Sequence, residues 1–128
     1  MFCDGGVACA AEARHRIAEL ASSYHPERIV RDAQLVASEL VTNALEHGAL
    51  GGVILDTTVT TEGVTLCITS HGVSERLPDP DDWTLPPASA LTGRGLAVTR
   101  RLADPVRVAK VPGAVDDRDL ISITAHVT

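Results

Sequence analysis

The stretch Ser38-Glu39-Leu40-Val41-Thr42-Asn43-Ala44-Leu45-Glu46-His47-Gly48 sets polar groups where a packed helix needs apolar ones. At about 100° per residue, Ile29, Ala33, Val36, Leu40 and Ala44 share one face of a helix predicted from about Arg28 to His47. Asn43 and His47 project within roughly 20° of Val36 on the same wheel, with Glu39 at the edge of that face. A carboxylate, an amide and an imidazole turned inward each cost desolvation free energy unless they meet a partner. Glu39 and Asn43 are also one helical turn apart. A carboxylate and an amide oxygen so placed can hold a hydrated Mg²⁺ and orient a hydroxyl, because hard cations take oxygen ligands. The plainer alternative is a pair of solvated side chains near a helix end, where the dipole by itself favours a residue such as His47. The apolar first half of the same face weighs against it.

A second group of residues suits an anion. In Thr92-Gly93-Arg94-Gly95-Leu96 two glycines precede or open a predicted helix. Their backbone can approach a phosphate closely, and free N–H groups and the helix dipole favour negative charge there. Arg94 adds a charge-assisted contact. A tight turn explains such glycines equally well when they stand alone. Between the two groups runs an aperiodic stretch, Gly72 to Thr92, with Pro78, Pro80, Pro86 and Pro87. A loop of that length inside a compact domain reads as a flap over a ligand.

These residues need a frame. A first helix is predicted over about Val7 to Ser23, with Ala11, Arg14, Ile17, Ala18 and Leu20 at amphipathic spacing. Tyr24-His25-Pro26 breaks it, Glu27 opens the second helix and Gly48 ends it. Val53 to Thr61 and Val64 to Thr69 form a hairpin about Glu62-Gly63. A third helix runs from about Gly95 to Ala103, stopped by Asp104-Pro105. Val106 to Val111 and Leu120 to Val127 are strands around the acidic turn Asp116-Asp117-Arg118-Asp119. The order ααββαββ is not the βαβ alternation of a doubly wound fold. It predicts an antiparallel-dominated sheet covered by helices on one face, in a single domain spanning 1–128.

Composition excludes more than it selects. With 128 residues there is room for one core, built from Val, Leu, Ile and Ala, since Phe2, Tyr24 and Trp83 are the only aromatics. A net charge of −6 argues against a nucleic-acid backbone as ligand. No run of the sequence has the apolar length of a membrane span, so the expected place is the cytoplasm. Cys3, Cys9 and Cys67 form no CxxC pair and are expected to be reduced thiols, with Cys67 buried in a strand. A zinc site from Cys67, His47 and His71 lacks ligand spacing and a fourth donor. A Ser70–His71 hydrolase fails because neighbours on a strand point to opposite faces.

Taken in order, the three features resemble the histidine-kinase-like ATPase superfamily, the GHKL or Bergerat fold. Ser38 to Gly48 resembles its N-box, Gly93-Arg94-Gly95-Leu96 its glycine box, and Gly72 to Thr92 its ATP lid. The resemblance implies an α+β two-layer sandwich with a mixed, mostly antiparallel sheet and helices on one face. It implies Glu39 as catalytic base and Asn43 as Mg²⁺ ligand. Around the nucleotide it implies His47, Ser70, Gly72, Thr92, Gly93, Arg94, Gly95 and Leu96. The cofactors implied are ATP and Mg²⁺.

At this length the chain is most similar to small bacterial serine-kinase anti-sigma factors and related ATP-binding regulators of actinomycetes. The implied partners are a sigma factor and a STAS-domain antagonist, and a homodimer is compatible with the likeness. Two departures stand out. Ser70, in Ser70-His71-Gly72-Val73-Ser74, occupies the place of the family's adenine-binding Asp, and Ser74 that of its second glycine. Asp116, Asp117 and Asp119 replace a glycine-rich turn, leaving Ser122 as the hydroxyl nearest to the Thr that family members carry on the last strand. Two functions are therefore expected as alternatives: an active serine/threonine kinase, or a module that sequesters its partner with little or no nucleotide.

Overall fold

The computed structural model describes residues 2–3, 9–46, 50–72, 94–115 and 118–128. In chain order the elements are β1 (Phe2–Cys3), α1 (Cys9–Ala21), α2 (Glu27–Glu46), β2 (Leu50–Val59), β3 (Val64–Gly72), α3 (Arg94–Leu102), β4 (Val106–Val115) and β5 (Arg118–Val127). The strands form one sheet in the order β1-β2-β3-β5-β4. Every described pairing is antiparallel, so the sheet is not mixed among these residues. This is the expected α+β arrangement.

Alternation along the strands sorts the sheet into two faces. Val53, Leu55, Leu66, Ile68, Ile121, Ile123, Ala125 and Val127 are buried on the face that the helices cover. Thr65, Cys67, Thr69, Ser122, Thr124 and His126 alternate onto the other face. There they pair across strands: Thr65 Oγ1 with His126 Nδ1 at 2.6 Å, and Thr69 Oγ1 with Ser122 Oγ at 3.4 Å. Ser122 therefore does not line the helix-side cleft, and its hydroxyl is no substitute for a pocket threonine. Cys67 is half-buried on this same face, not in the core; Cys9 is the buried thiol.

Helix α1 buries Cys9, Ala13, Ile17 and Ala21, a strict four-residue repeat of mostly small side chains. The predicted face was rotated from this: Arg14 and Leu20 lie outside it. Arg14 instead spans to α2, donating from Nη1 to Ser38 Oγ at 3.0 Å, while Gln34 Nε2 donates to Arg14 O at 2.9 Å. Helix α2 buries Ile29, Val30, Ala33, Val36, Ala37, Leu40 and Val41, and in its last turn Ala44 and Leu45 pack against the core only partly buried. His25 Nε2 lies 2.7 Å from Thr60 O and ties the start of α2 to the β2–β3 turn.

Two glycines are fixed by their surroundings. A Cβ at Gly63 would overlap Val127 O and stand 3.0 Å from Val127 C, so the turn admits no side chain against β5. Gly52 has φ 89° inside a β-bulge between Leu50 and Val53, a conformation that costs other residues strain.

Element edges differ from expectation in a consistent way. The strands are longer: β3 continues through Ser70 and His71 to Gly72, and β4 and β5 extend to Val115 and back to Arg118. Ladder hydrogen bonds carry a strand on past the point where its apolar alternation fades. Strand β1 was not foreseen at all, being two residues against Ile54 and Val53.

Candidate functional site

Element lengths place the polar residues of α2 at one end of the sheet. With Glu27 near the β2–β3 turn, Glu39 and Asn43 lie about 18 and 24 Å along the helix. Ser70 lies about 20 Å along β3 from Val64, at the same level. Helix α3 packs against α2. Asp104 N donates to His126 O at 2.9 Å, which pins the C-terminal end of α3 near the far end of β5 and points its N-terminus back at Glu39.

The meeting of α2 and α3 is tight. A Cβ built on Gly95 would overlap Glu39 Oε2 and stand 3.3 Å from Glu39 Cδ and 3.5 Å from Glu39 Cβ. The first turn of α3 thus closes on the Glu39 side chain only because residue 95 has none. Thr99, 0% exposed, donates from Oγ1 to Gly95 O at 2.9 Å and holds that peptide in place. Arg100 and Arg101 close the last turn of α3, where cations suit the dipole and leave its N-terminus the electropositive end. Leu96 packs against the core and anchors the same turn.

Glu39 and Asn43 are both half-buried, one turn apart, and neither makes a side-chain hydrogen bond or ion pair with a described residue. An oxygen pair left without partners beside a glycine cradle fits a hydrated hard cation and the phosphates it accompanies. Among the described residues no cluster of three His, Cys, Asp or Glu side chains is placed to hold a metal, and His47 of the Cys67, His47 and His71 set lies outside them.

The Ser70 end of the sheet is built differently. Ser70, 9% exposed, stands on the helix-covered face between Val53 and Ile121, and Lys110 follows Ile121 in the same cross-sheet row. The Gly52 bulge lies directly beside Ser70. A hydroxyl thus stands where the family carries a carboxylate, in a row otherwise made of Val53, Ile121 and Lys110. Gly72 closes β3 and is a strand residue, not the start of the loop. Arg94 is the first residue of α3. His47, Thr92 and Gly93, and the lid from 73 onward, lie outside the described residues. The structure therefore brings together Glu39, Asn43, Gly95 and Leu96, with Ser70 at the same end of the sheet.

Thr99 and the Gly52 bulge were not singled out from the sequence. A hydroxyl four residues after a helix-opening glycine is a readable sign of back-bonding to that glycine's carbonyl. The bulge had a signal too, in Gly51-Gly52 next to a strand. An open groove of about 650 Å³ lined by Leu20, Tyr24, His25, Thr57, Val59 and Thr60 lies at the opposite end, by the β2–β3 turn, away from this chemistry.

Gly95 separates site from scaffold experimentally. In Gly95→Ala the added methyl meets the movable end of Glu39, so the fold is expected to survive with its Tm within a few degrees, helped by a helix propensity gain of about 1 kcal/mol. Glu39 is displaced, and any activity depending on it is expected to fall at least tenfold. Calorimetric melting beside an activity assay checks both halves.

No helix among the described residues is long and apolar enough to cross a membrane. No curated protein matches the chain. A family profile, that of the histidine kinase-like ATPase domain, matches residues 7–116. That match covers most of the 128 residues and contains both α2 and the opening of α3, and the chain accordingly belongs to the histidine kinase-like ATPase family, an ATP-binding kinase-like ATPase module.

Proposed function

We propose that this module is a cytoplasmic anti-sigma-type regulator that phosphorylates a serine or threonine of a STAS-domain antagonist and sequesters a sigma factor, acting as a homodimer. The observation that carries the kinase part is the Glu39 carboxylate set against the glycine-opened first turn of α3. A nucleotide-binding module without chemistry has no need of a base at that point. Glu39 takes the proton from the substrate hydroxyl as its oxygen bonds to the γ-phosphorus, and the bond to the β–γ bridging oxygen breaks to release ADP. Asn43 would hold Mg²⁺, which would supply positive charge against the phosphates. Gly95, with Gly93 and Arg94 beside it in sequence, receives the β- and γ-phosphates at the N-terminus of α3.

Ser70 favours a second reading, a sequestering module that binds nucleotide weakly. A hydrogen bond to a charged group is worth about 1.5–3 kcal/mol against about 0.5–1.5 for a neutral one. Exchanging the carboxylate for a hydroxyl therefore lowers adenine affinity about tenfold.

Isothermal titration with Mg-ATP, run beside Ser70→Asp, decides between them. The expected result is binding by the natural protein and roughly tenfold tighter binding by the variant. The variant is also expected to melt lower without ATP, since its new buried carboxylate then has no partner, and to recover with ATP. Binding only by the variant selects the sequestering module. Silence from both, in folded protein, removes the nucleotide site.

A further inference from the structure

Strand β4 ends the sheet, pairing with β5 alone among the described strands. The phase of that pairing fixes which of its backbone groups are spare. His126 N donates to Pro105 O at 3.2 Å, and Val106 stands opposite Ala125. Val106 and Ala125 are then a non-hydrogen-bonded pair, and Arg107 with Thr124 and Ala109 with Ser122 are hydrogen-bonded ones. The N–H and C=O groups of Val106, Val108 and Lys110 consequently point outward, away from β5.

The side chains along this edge are not neutral. Arg107, Ala109 and Lys110 are exposed, while Val106 and Val108 are half-buried on the helix-covered face. Arg101, on the helix just before, is exposed as well. Between Arg94 and Lys110 the sequence carries five cations against the single anion Asp104, in a chain of net charge −6. Further along the sequence, Asp116, Asp117 and Asp119 carry the opposite sign.

We infer that the outer edge of β4 takes an added strand from a partner protein, an extended segment in which apolar and acidic residues alternate. Main-chain bonds to Val106, Val108 and Lys110 supply the pairing. The apolar residues of the segment extend the row of Val106 and Val108, and its acidic residues stand beside Arg107 on the other face. Charge also selects against the simplest competitor. A second copy joined antiparallel in the register centred on Arg107 would set the two Arg107 side chains directly opposite each other, a like-charge arrangement that edge strands use to prevent self-pairing.

The probe is a fluorescent peptide, Ac-Val-Glu-Val-Glu-Val-Glu-Val-Glu-amide, titrated at low salt without nucleotide and read by anisotropy. Saturable binding is expected, at least about tenfold weaker for the Lys-for-Glu peptide and for the Arg107→Glu protein. Val108→Pro removes one outward N–H while leaving the β5 ladder intact, and is expected to weaken binding about tenfold with the circular dichroism unchanged. Methylating alternate peptide nitrogens tests the same bonds on the unaltered protein and should abolish binding. Equal binding of the methylated or lysine peptide overturns the inference. So does a concentration-dependent dimer that Val108→Pro converts to monomer, which assigns the edge to a second copy. Asn43→Ala is expected to leave peptide binding unchanged, so failure here and failure of the nucleotide site are separate results.

Discussion

Glu39→Gln is expected to cut phosphoryl transfer by roughly 10²- to 10⁴-fold while nucleotide affinity stays within about threefold. The range is that of a positioned general base. The glutamine keeps the length and shape of the side chain, so it fills the same space against Gly95, where no Cβ fits. It also keeps an oxygen for any water or cation held beside Asn43. What it loses is the capacity to accept the proton of the incoming hydroxyl. Single-turnover transfer to a STAS-domain substrate, followed by phosphopeptide mass spectrometry and paired with titration of Mg-ATP, separates the two quantities. Unimpaired transfer by Glu39→Gln would remove Glu39 as the base. A parallel collapse of binding would make it a ligand-holding residue instead. Gly95→Ala provides the internal comparison, since it moves Glu39 without changing its chemistry and should therefore lose less.

Much of this arrangement was readable from residue types. The stripe of α2 from Ile29 to Leu40 is a helical period that only a covered face satisfies, and its interruption at Asn43 marks where cover gives way to a site. The alternation Ile121, Ile123, Ala125, Val127 fixed one face of β5 in the same way. Helix α1 was harder, because its buried positions include Cys9, Ala13 and Ala21, which carry little apolar weight. A wheel weighted by hydrophobicity is drawn toward Leu20, which the fold leaves exposed at 42%. Small residues were chosen there for close approach to α2, and closeness is a tertiary property that no local period records.

The site divides along the same line. Glu39 and Asn43 were legible because both belong to one helix, and a helix fixes the relative azimuth of its own residues. That Glu39 touches the turn opened by Gly95 was not, since the contact joins residues 56 positions apart in the sequence. Resemblance supplied that juxtaposition, and the clash a Cβ would make at Gly95 supplies its physical reason. Thr99 escaped notice because its hydroxyl serves a carbonyl one turn back, a role that looks from sequence like an ordinary polar residue in a helix. The spare amides of β4 were likewise invisible, because hydrogen-bond phase depends on register with β5 and not on any residue type.

Asn43→Ala is expected to abolish measurable Mg-ATP binding, a loss of at least about 100-fold, with the fold intact. Residue 43 lies in the last turn and a half of α2, half-buried, with its amide bonded to no described residue. Removing it therefore strands no internal partner, and alanine raises helix propensity by about 0.5 kcal/mol. A drop in affinity then cannot be charged to unfolding, which melting curves of the two proteins verify directly. The Mg²⁺ dependence carries the decisive contrast. In the natural protein, titrations with and without Mg²⁺ should differ strongly, because a metal held by Asn43 would offset phosphate charge. In Asn43→Ala the two titrations should coincide at the weak, metal-free level. An unchanged affinity in the variant would sink the proposed site. A lowered affinity that still responds fully to Mg²⁺ would place the metal on the lid side of the phosphates and leave Asn43 a contact to the nucleotide alone.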